Sequence, residues 1–155
     1  MPRYASSLAK SLPFSASVLL NGGRRIQRAL EYMHSKGFVH MDVKADNIFI
    51  DANGLWFLGD FGSAVKIGQN VTSTTEWFTA GNWIGKAAKI EFDWFMLAVT
   101  MVCESNRDSW KDFLIVKDRN HSTLQKLQSA VQNNLPDPHI KAFVEGLLVL
   151  CQSFA

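Results

Sequence analysis

The first thirty residues contain no aspartate or glutamate; the first acidic side chain is Glu31. Cysteine is almost as scarce. Cys103 and Cys151 are the only two, and both sit in apolar stretches that read as helical. They read as buried thiols with no Cys/His spacing for a metal, which fits a reducing compartment. Long hydrophobic runs are missing. The longest helical one, Trp94 to Cys103, is half the roughly 20 residues that a bilayer span needs. No secretory signal is visible. A net charge of +2 lacks the basic excess of a dedicated nucleic-acid binder. These absences point away from membranes and nucleic acids and toward an intracellular, cytoplasmic protein.

What is present suits one globular domain. The chain has 155 residues, 47% hydrophobic and 19% charged, a composition that builds a core. Residues 1–20, rich in Ser, Ala and Leu, read as a connecting or N-terminal segment that ends in a short helix; their acid-poor character also resembles a transit sequence. Asn21-Gly22-Gly23 reads as a turn. Gly23 to Lys36 reads as a helix, with Ile26, Ala29, Leu30 and Met33 on one face, Asn21 as its N-cap and Gly37 as its stop.

Two short β-prone runs follow, Ile48-Phe49-Ile50 and Leu55-Trp56-Phe57-Leu58, joined by Asp51-Ala52-Asn53-Gly54. Asn-Gly is a strong hairpin signal. With Asn53 and Gly54 as a two-residue turn, Ile50 faces Phe57 and Ile48 faces Gly59. One step further, Asn47 stands opposite Asp60. That register sets an amide oxygen beside a carboxylate, a pair of hard ligands of the kind Mg²⁺ accepts.

The residues around this hairpin carry a pattern. His40-Met41-Asp42-Val43-Lys44-Ala45-Asp46-Asn47 precedes it and Asp60-Phe61-Gly62 follows it. His-x-Asp-x-Lys-x-x-Asn before Asp-Phe-Gly at this spacing resembles the catalytic core of a Ser/Thr-type protein kinase. The resemblance is good from Gly23 to Cys103 and weaker elsewhere. It implies a fold that is mainly α: a protein-kinase-like large lobe with one small β-hairpin next to the catalytic loop. It implies residues 1–20 as the lobe-connecting segment and 21–155 as a partial kinase domain.

The resemblance also implies roles. Asp42 matches the base that accepts the substrate hydroxyl proton, and Lys44 the cation on the transferring phosphate. Asn47 and Asp60 match the Mg²⁺ ligands, so ATP and Mg²⁺ are the implied cofactors and a protein Ser or Thr the acceptor. His40 matches a structural histidine, and Asp93 the carboxylate that hydrogen-bonds the catalytic loop. His34 reads as a packing or surface residue. Ser63, Thr72, Ser73, Thr74, Thr75 and Thr79 are the hydroxyls of the activation segment.

The chain departs from the family in several places. Met41 stands where an Arg often anchors a phosphorylated activation loop, and Ala80-Gly81-Asn82 replaces Ala-Pro-Glu. No Gly-x-Gly-x-x-Gly loop occurs, and neither Lys10 nor Lys36 follows a Val-Ala-Ile strand. The isolated chain is therefore expected to be inactive or incomplete. A non-catalytic scaffold of pseudokinase type is the alternative. A small-molecule phosphotransferase is a third reading, disfavoured by Lys44 and by Asp-Phe-Gly-Ser.

Further along, Phe92 to Glu104 reads as a helix buried on all sides. Trp110 to Val116, Ser122 to Gln132 and His139 to Ser153 read as amphipathic helices, with Pro136 and Pro138 separating the last two. The apolar stripe at the Phe154-Ala155 end is expected to meet a partner.

Overall fold

The computed structural model describes residues 4–75, 79–110 and 124–152. Four α-helices in these residues surround one core, with two small antiparallel sheets at its edge.

Helix α1 spans Ala16–Ser35. It begins well before the expected Gly23 because Ser15, in an extended conformation, caps it with Oγ accepting the Val18 N–H at 3.4 Å. The helix runs straight through Asn21-Gly22-Gly23, so that segment is not a turn and no element boundary falls at residue 20. The glycines are there for close packing. A Cβ on Gly22 would lie 2.2 Å from the Trp56 ring, and one on Gly23 2.8 Å from Met101 Sδ. Two interior glycines cost a helix roughly 0.5–1 kcal/mol each; here the packing they admit offsets that loss. Gly37, at φ 86°, ends the helix as expected.

Strand β1 is Tyr4–Ser7, β2 Phe38–Val39, β3 Ile48–Asp51, β4 Trp56–Leu58 and β5 Val65–Lys66. One sheet has the order β1-β3-β4 and the other pairs β2 with β5. The single hairpin expected from sequence is therefore part of a three-stranded sheet, with β3 at its centre and β4 at one edge. Nothing local in Tyr4–Ser7 announces that it will pair with residues more than forty positions away.

The hairpin register also differs by one. Ile48 faces Leu58, Phe49 faces Phe57 and Ile50 faces Trp56. Asp51 N–H donates to Leu55 O at 3.0 Å, so the loop is the three residues 52–54, with Gly54 in the left-handed region at φ 80°. A three-residue loop ending in a left-handed glycine competes closely with the two-residue turn. Asp51 decides it here: Oδ1 accepts the N–H groups of Asn53 and Leu55, each at 2.9 Å.

Helix α2, Ile90–Ser105, is the centre of the molecule, and every residue of 92–103 is buried. It packs against α1, α3 (Leu124–Asn134) and α4 (Pro138–Val149). Each large apolar side chain so buried contributes about 1.5–3 kcal/mol. Asp137 caps α4, its Oδ1 accepting from His139 N–H at 3.0 Å and Ile140 N–H at 2.9 Å. Pro138, expected to separate two helices, occupies the first turn of α4, where a missing N–H costs nothing. The helix expected at Trp110 to Val116 and the Phe154-Ala155 end fall mostly or wholly outside the described residues.

Just beyond α2, Arg107 ties the segment after that helix to residues 8 and 11. It donates to Ser11 O and to Leu8 O (2.9 Å), and pairs with Glu104 at 2.6 Å. Burial pushes the Glu104 carboxyl above its ordinary range, and Arg107 opposes that push. Among the described residues no helix is long and apolar enough to cross a membrane.

Candidate active site

The loop from His40 to Lys44 alternates. Met41 and Val43 are fully buried, while Asp42 and Lys44 point outward with side chains 15% and 21% exposed. An extended chain with one face on a core does this. Thr100 of α2 lies beneath, its Oγ1 donating to Val43 O at 3.5 Å.

One buried carboxylate holds the loop's backbone. Asp93, in the first turn of α2, accepts the His40 N–H at 2.8 Å on Oδ2 and the Met41 N–H at 2.9 Å on Oδ1. His34 Nε2 donates to the same Oδ2 at 2.8 Å. Asp93 thus hydrogen-bonds the loop as the resemblance implied. His34 is nearly buried, edge-on to Trp94, and orients that carboxylate. The clamp also keeps Met41 at φ 69°, a conformation that costs a non-glycine residue roughly 1–3 kcal/mol.

His40 is fully buried and bridges two motifs. Its Nε2 donates to Gly59 O at 2.8 Å, so Nδ1 is free to accept the Asp42 N–H at 3.2 Å. That fixes the tautomer and leaves neither nitrogen for a reacting group. The ring meets Phe61 edge-on at 5.4 Å.

Above this floor, side chains converge on Asp42. Thr75 Oγ1 donates to Asp42 Oδ1 at 2.6 Å. Asn47 Nδ2 donates to Asp42 Oδ2 at 3.0 Å and to Asp42 O at 2.8 Å. Lys44 Nζ lies 3.6 Å from Asp42 Oδ2 and donates to Thr75 Oγ1 at 2.8 Å. A carboxylate offers about four lone-pair sites. Thr75 and Asn47 take one each, so Asp42 retains capacity for an incoming hydroxyl.

Asp60 stands apart from this cluster. The corrected register sets Asn47 opposite Gly59, with Gly59 N–H donating to Asn47 O at 2.9 Å, and Asp60 is the next residue. Asp60 is exposed, adopts φ 51°, and accepts the Gly62 N–H on Oδ1 at 3.3 Å. The expected side-by-side pairing of Asn47 and Asp60 is thus replaced by a one-residue offset. The donor set still suits Mg²⁺. The Asn47 amide nitrogen is committed to Asp42, which leaves its Oδ1 as a hard donor, and Asp60 adds a carboxylate. Among the described residues no three His, Cys, Asp or Glu side chains gather as a metal cage. Mg²⁺ bound with nucleotide takes only one or two protein ligands, so it needs none.

Thr75 is the member of the site that the sequence did not single out. It is one of six activation-segment hydroxyls, and no local pattern marks it. Only the folded path of the segment brings it to Asp42, thirty-three positions away.

The Protein kinase domain profile matches residues 3–153. The chain belongs to the protein kinase domain family. It is 32% identical over 99 residues to a serine/threonine-protein kinase, ArnS, of Sulfolobus acidocaldarius, a match covering 50% of this chain and 16% of that protein. It is 39% identical over 74 residues to the serine/threonine-protein kinase US3 homolog of Gallid herpesvirus 2, covering 45% and 18%. It is 43% identical over 61 residues to the Wee1-like protein kinase of Arabidopsis thaliana, covering 39% and 12%. The chain spans less than a fifth of the length of each of these relatives.

Proposed function

We propose that this chain is the large lobe of a Ser/Thr-type protein kinase, and that its site transfers the γ-phosphate of ATP to a Ser or Thr hydroxyl of a protein. Asp42 takes the proton of the acceptor hydroxyl. Lys44 neutralises charge on the phosphoryl group in transit. Asn47 Oδ1 and the Asp60 carboxylate hold the magnesium, which with ATP supplies an activated phosphorus and offsets the charge of the phosphates. Such transfer depends on positioning and charge neutralisation more than on covalent chemistry. The observation that carries this reading is the cluster at Asp42: a base, a cation and an amide joined by hydrogen bonds of 2.6–3.0 Å on a loop clamped from beneath.

The phosphate-covering Gly-rich loop and the lysine that grips ATP are not among these 155 residues. We therefore assign turnover to this site joined with residues other than these, from further chain or from a second polypeptide, and treat the isolated chain as incomplete or inactive. A non-catalytic, pseudokinase-like binding module is the second reading. Met41 favours it, because it removes one usual link between activation-segment phosphorylation and the catalytic loop.

Titration of Mg·ATP against melting temperature, with Asp60→Asn as control, separates the two. A saturable rise that the control abolishes supports metal–nucleotide binding. No shift in a folded sample favours the binding module. Phosphate transfer by the completed kinase to a general protein substrate should fall at least 100-fold in Asp42→Asn. Transfer unchanged by that substitution would rule Asp42 out as the base.

A further inference from the structure

Helix α2 meets the site near both of its ends. Asp93 in its first turn clamps the catalytic loop, and Arg107 stands just past its last turn. The phosphoryl-transfer reading gives Arg107 no part. Its guanidinium is nonetheless fully engaged. Nε donates to Glu104 Oε2 at 2.7 Å, and Nη1 donates to Ser11 O. Nη2 donates to Leu8 O at 2.9 Å and to Ser11 Oγ at 3.1 Å. A planar fork of donors suits two carbonyls set side by side, and a lysine would reach fewer of them.

What Arg107 holds is a single 3-10 turn, Leu8–Lys10, with the Leu8 side chain fully buried. Such a turn has poorer hydrogen-bond geometry than an α-helix and gains from outside partners. It packs against a second 3-10 turn, Ala45–Asn47. The strands beside the two turns also pair. Ser7, directly before the first turn, stands opposite Phe49, shortly after the second. Asn47 is buried, and its amide nitrogen is fixed on Asp42. The direction of its Oδ1 therefore depends on where the Ala45–Asn47 turn sets the backbone.

Charge joins the same pieces. Burial raises the Glu104 carboxyl above its ordinary range, Arg107 opposes that rise, and the charge of Asp46 adds to it. Asp46 is the neighbour of Asn47 in the second turn. Taking Arg107 away removes the cation paired with Glu104 and leaves the repulsion from Asp46. Both the hydrogen bonds and the charge of Arg107 thus bear on the turn that carries Asn47.

We propose that Arg107 is a positioning residue for Asn47: it pins Leu8 and Ser11 to the end of α2, and the turn so pinned holds the Ala45–Asn47 turn where the amide oxygen can meet the metal. The inference rests on the reading of Asn47 as a magnesium ligand. With Asp93 near the start of α2 and Arg107 beyond its end, one helix sets the loop of Asp42 and the turn of Asn47 on a common frame.

The test is NMR of the full ¹⁵N-labelled chain without metal or nucleotide. The Asn47 side-chain amide pair, assigned by its loss in Asn47→Asp, reports the position of that residue. The His40 and Met41 backbone amides report the Asp93 clamp. In Arg107→Ala the Asn47 pair should exchange with water at least tenfold faster and change its shifts, while His40 and Met41 stay as in the wild type. An unchanged Asn47 pair overturns the proposal. Faster exchange at Asn47, His40 and Met41 alike also overturns it, since that is general loosening of the fold. Should Arg107→Ala fail to fold, Arg107→Lys, which keeps the charge but not the fork, is read by the same three outcomes. Mg·ATP added to the wild-type chain tests the metal reading separately. A shift of the Asn47 pair supports Asn47 as a ligand, and its absence overturns that assignment whichever way the Arg107 variants read.

Discussion

At the residue scale, Asp93 decides whether the loop bearing Asp42 keeps its shape. One fully buried carboxylate satisfies two backbone N–H groups and His34. Removing it leaves three buried donors unpaired, and each unpaired group costs about 1–3 kcal/mol. Asp93→Ala should therefore lower stability by roughly 3–5 kcal/mol in urea unfolding. A loss below about 1 kcal/mol would mean that the loop finds other partners. Asp93 was legible through the family resemblance, which implied a carboxylate on the catalytic-loop backbone; its place in the first turn of a helix by itself read equally as a dipole partner. Thr75 was not legible, since its partner Asp42 is reached through space and its neighbours Thr72, Ser73 and Thr74 carry the same chemistry.

At the scale of elements, the two glycines of α1 connect helix packing to the site. Trp56 sits in the notch at Gly22, and Trp56 belongs to the strand that leads to Asp60. Arg25 secures that strand, its Nε donating to Trp56 O at 2.7 Å and its guanidinium 4.7 Å above the Phe57 ring. Gly22→Ala forces a methyl into the indole and should cost about 1–3 kcal/mol by overpacking. Gly146→Ala is the internal comparison. It occupies an exposed position of α4 with nothing within 4 Å of a new Cβ, so it should stabilise by about 0.5–1 kcal/mol. Equal effects of opposite glycines in one melting experiment would refute the notch. The glycines were misread from sequence because Asn-Gly-Gly is turn chemistry locally. The large ring that overrides it lies more than thirty residues away. The hairpin slipped by one residue for a similar reason: two- and three-residue loops share the Asn-Gly signal, and the Asp51 carboxylate settled the choice.

At the scale of the whole molecule, one core encloses both thiols. Burial pushes Cys103 and Cys151 each up to about 12 from an ordinary 9.0, with nearby Glu104 and Glu91 adding to the shift. The reactive thiolate is thus scarcer by a factor of about 1,000 than in an open chain. Iodoacetamide at pH 8 should leave both thiols unmodified for hours in the folded protein and label both within minutes in 6 M guanidinium. Rapid labelling of either in native buffer would mean that α2 or the end of α4 opens readily. The single core was legible in outline, because the apolar run of α2 admits no other placement. The return of Tyr4–Ser7 to the hairpin was not.

Arg107 adds a statement about time. Its hydrogen bond to Ser11 closes a loop of 96 residues. Bringing such distant ends together costs about (3/2)RT ln n, roughly 4 kcal/mol beyond a constant, before the contact returns anything. Docking of α1 on α2 shortens that loop, so the guanidinium reaches Leu8 and Ser11 at lower cost once the two helices have met. The first strand, β1, is therefore expected to dock late, and native-state hydrogen exchange should find its amides the least protected of the three-stranded sheet. The three-stranded sheet beside Asn47 and Asp60 is complete only with β1 docked on β3.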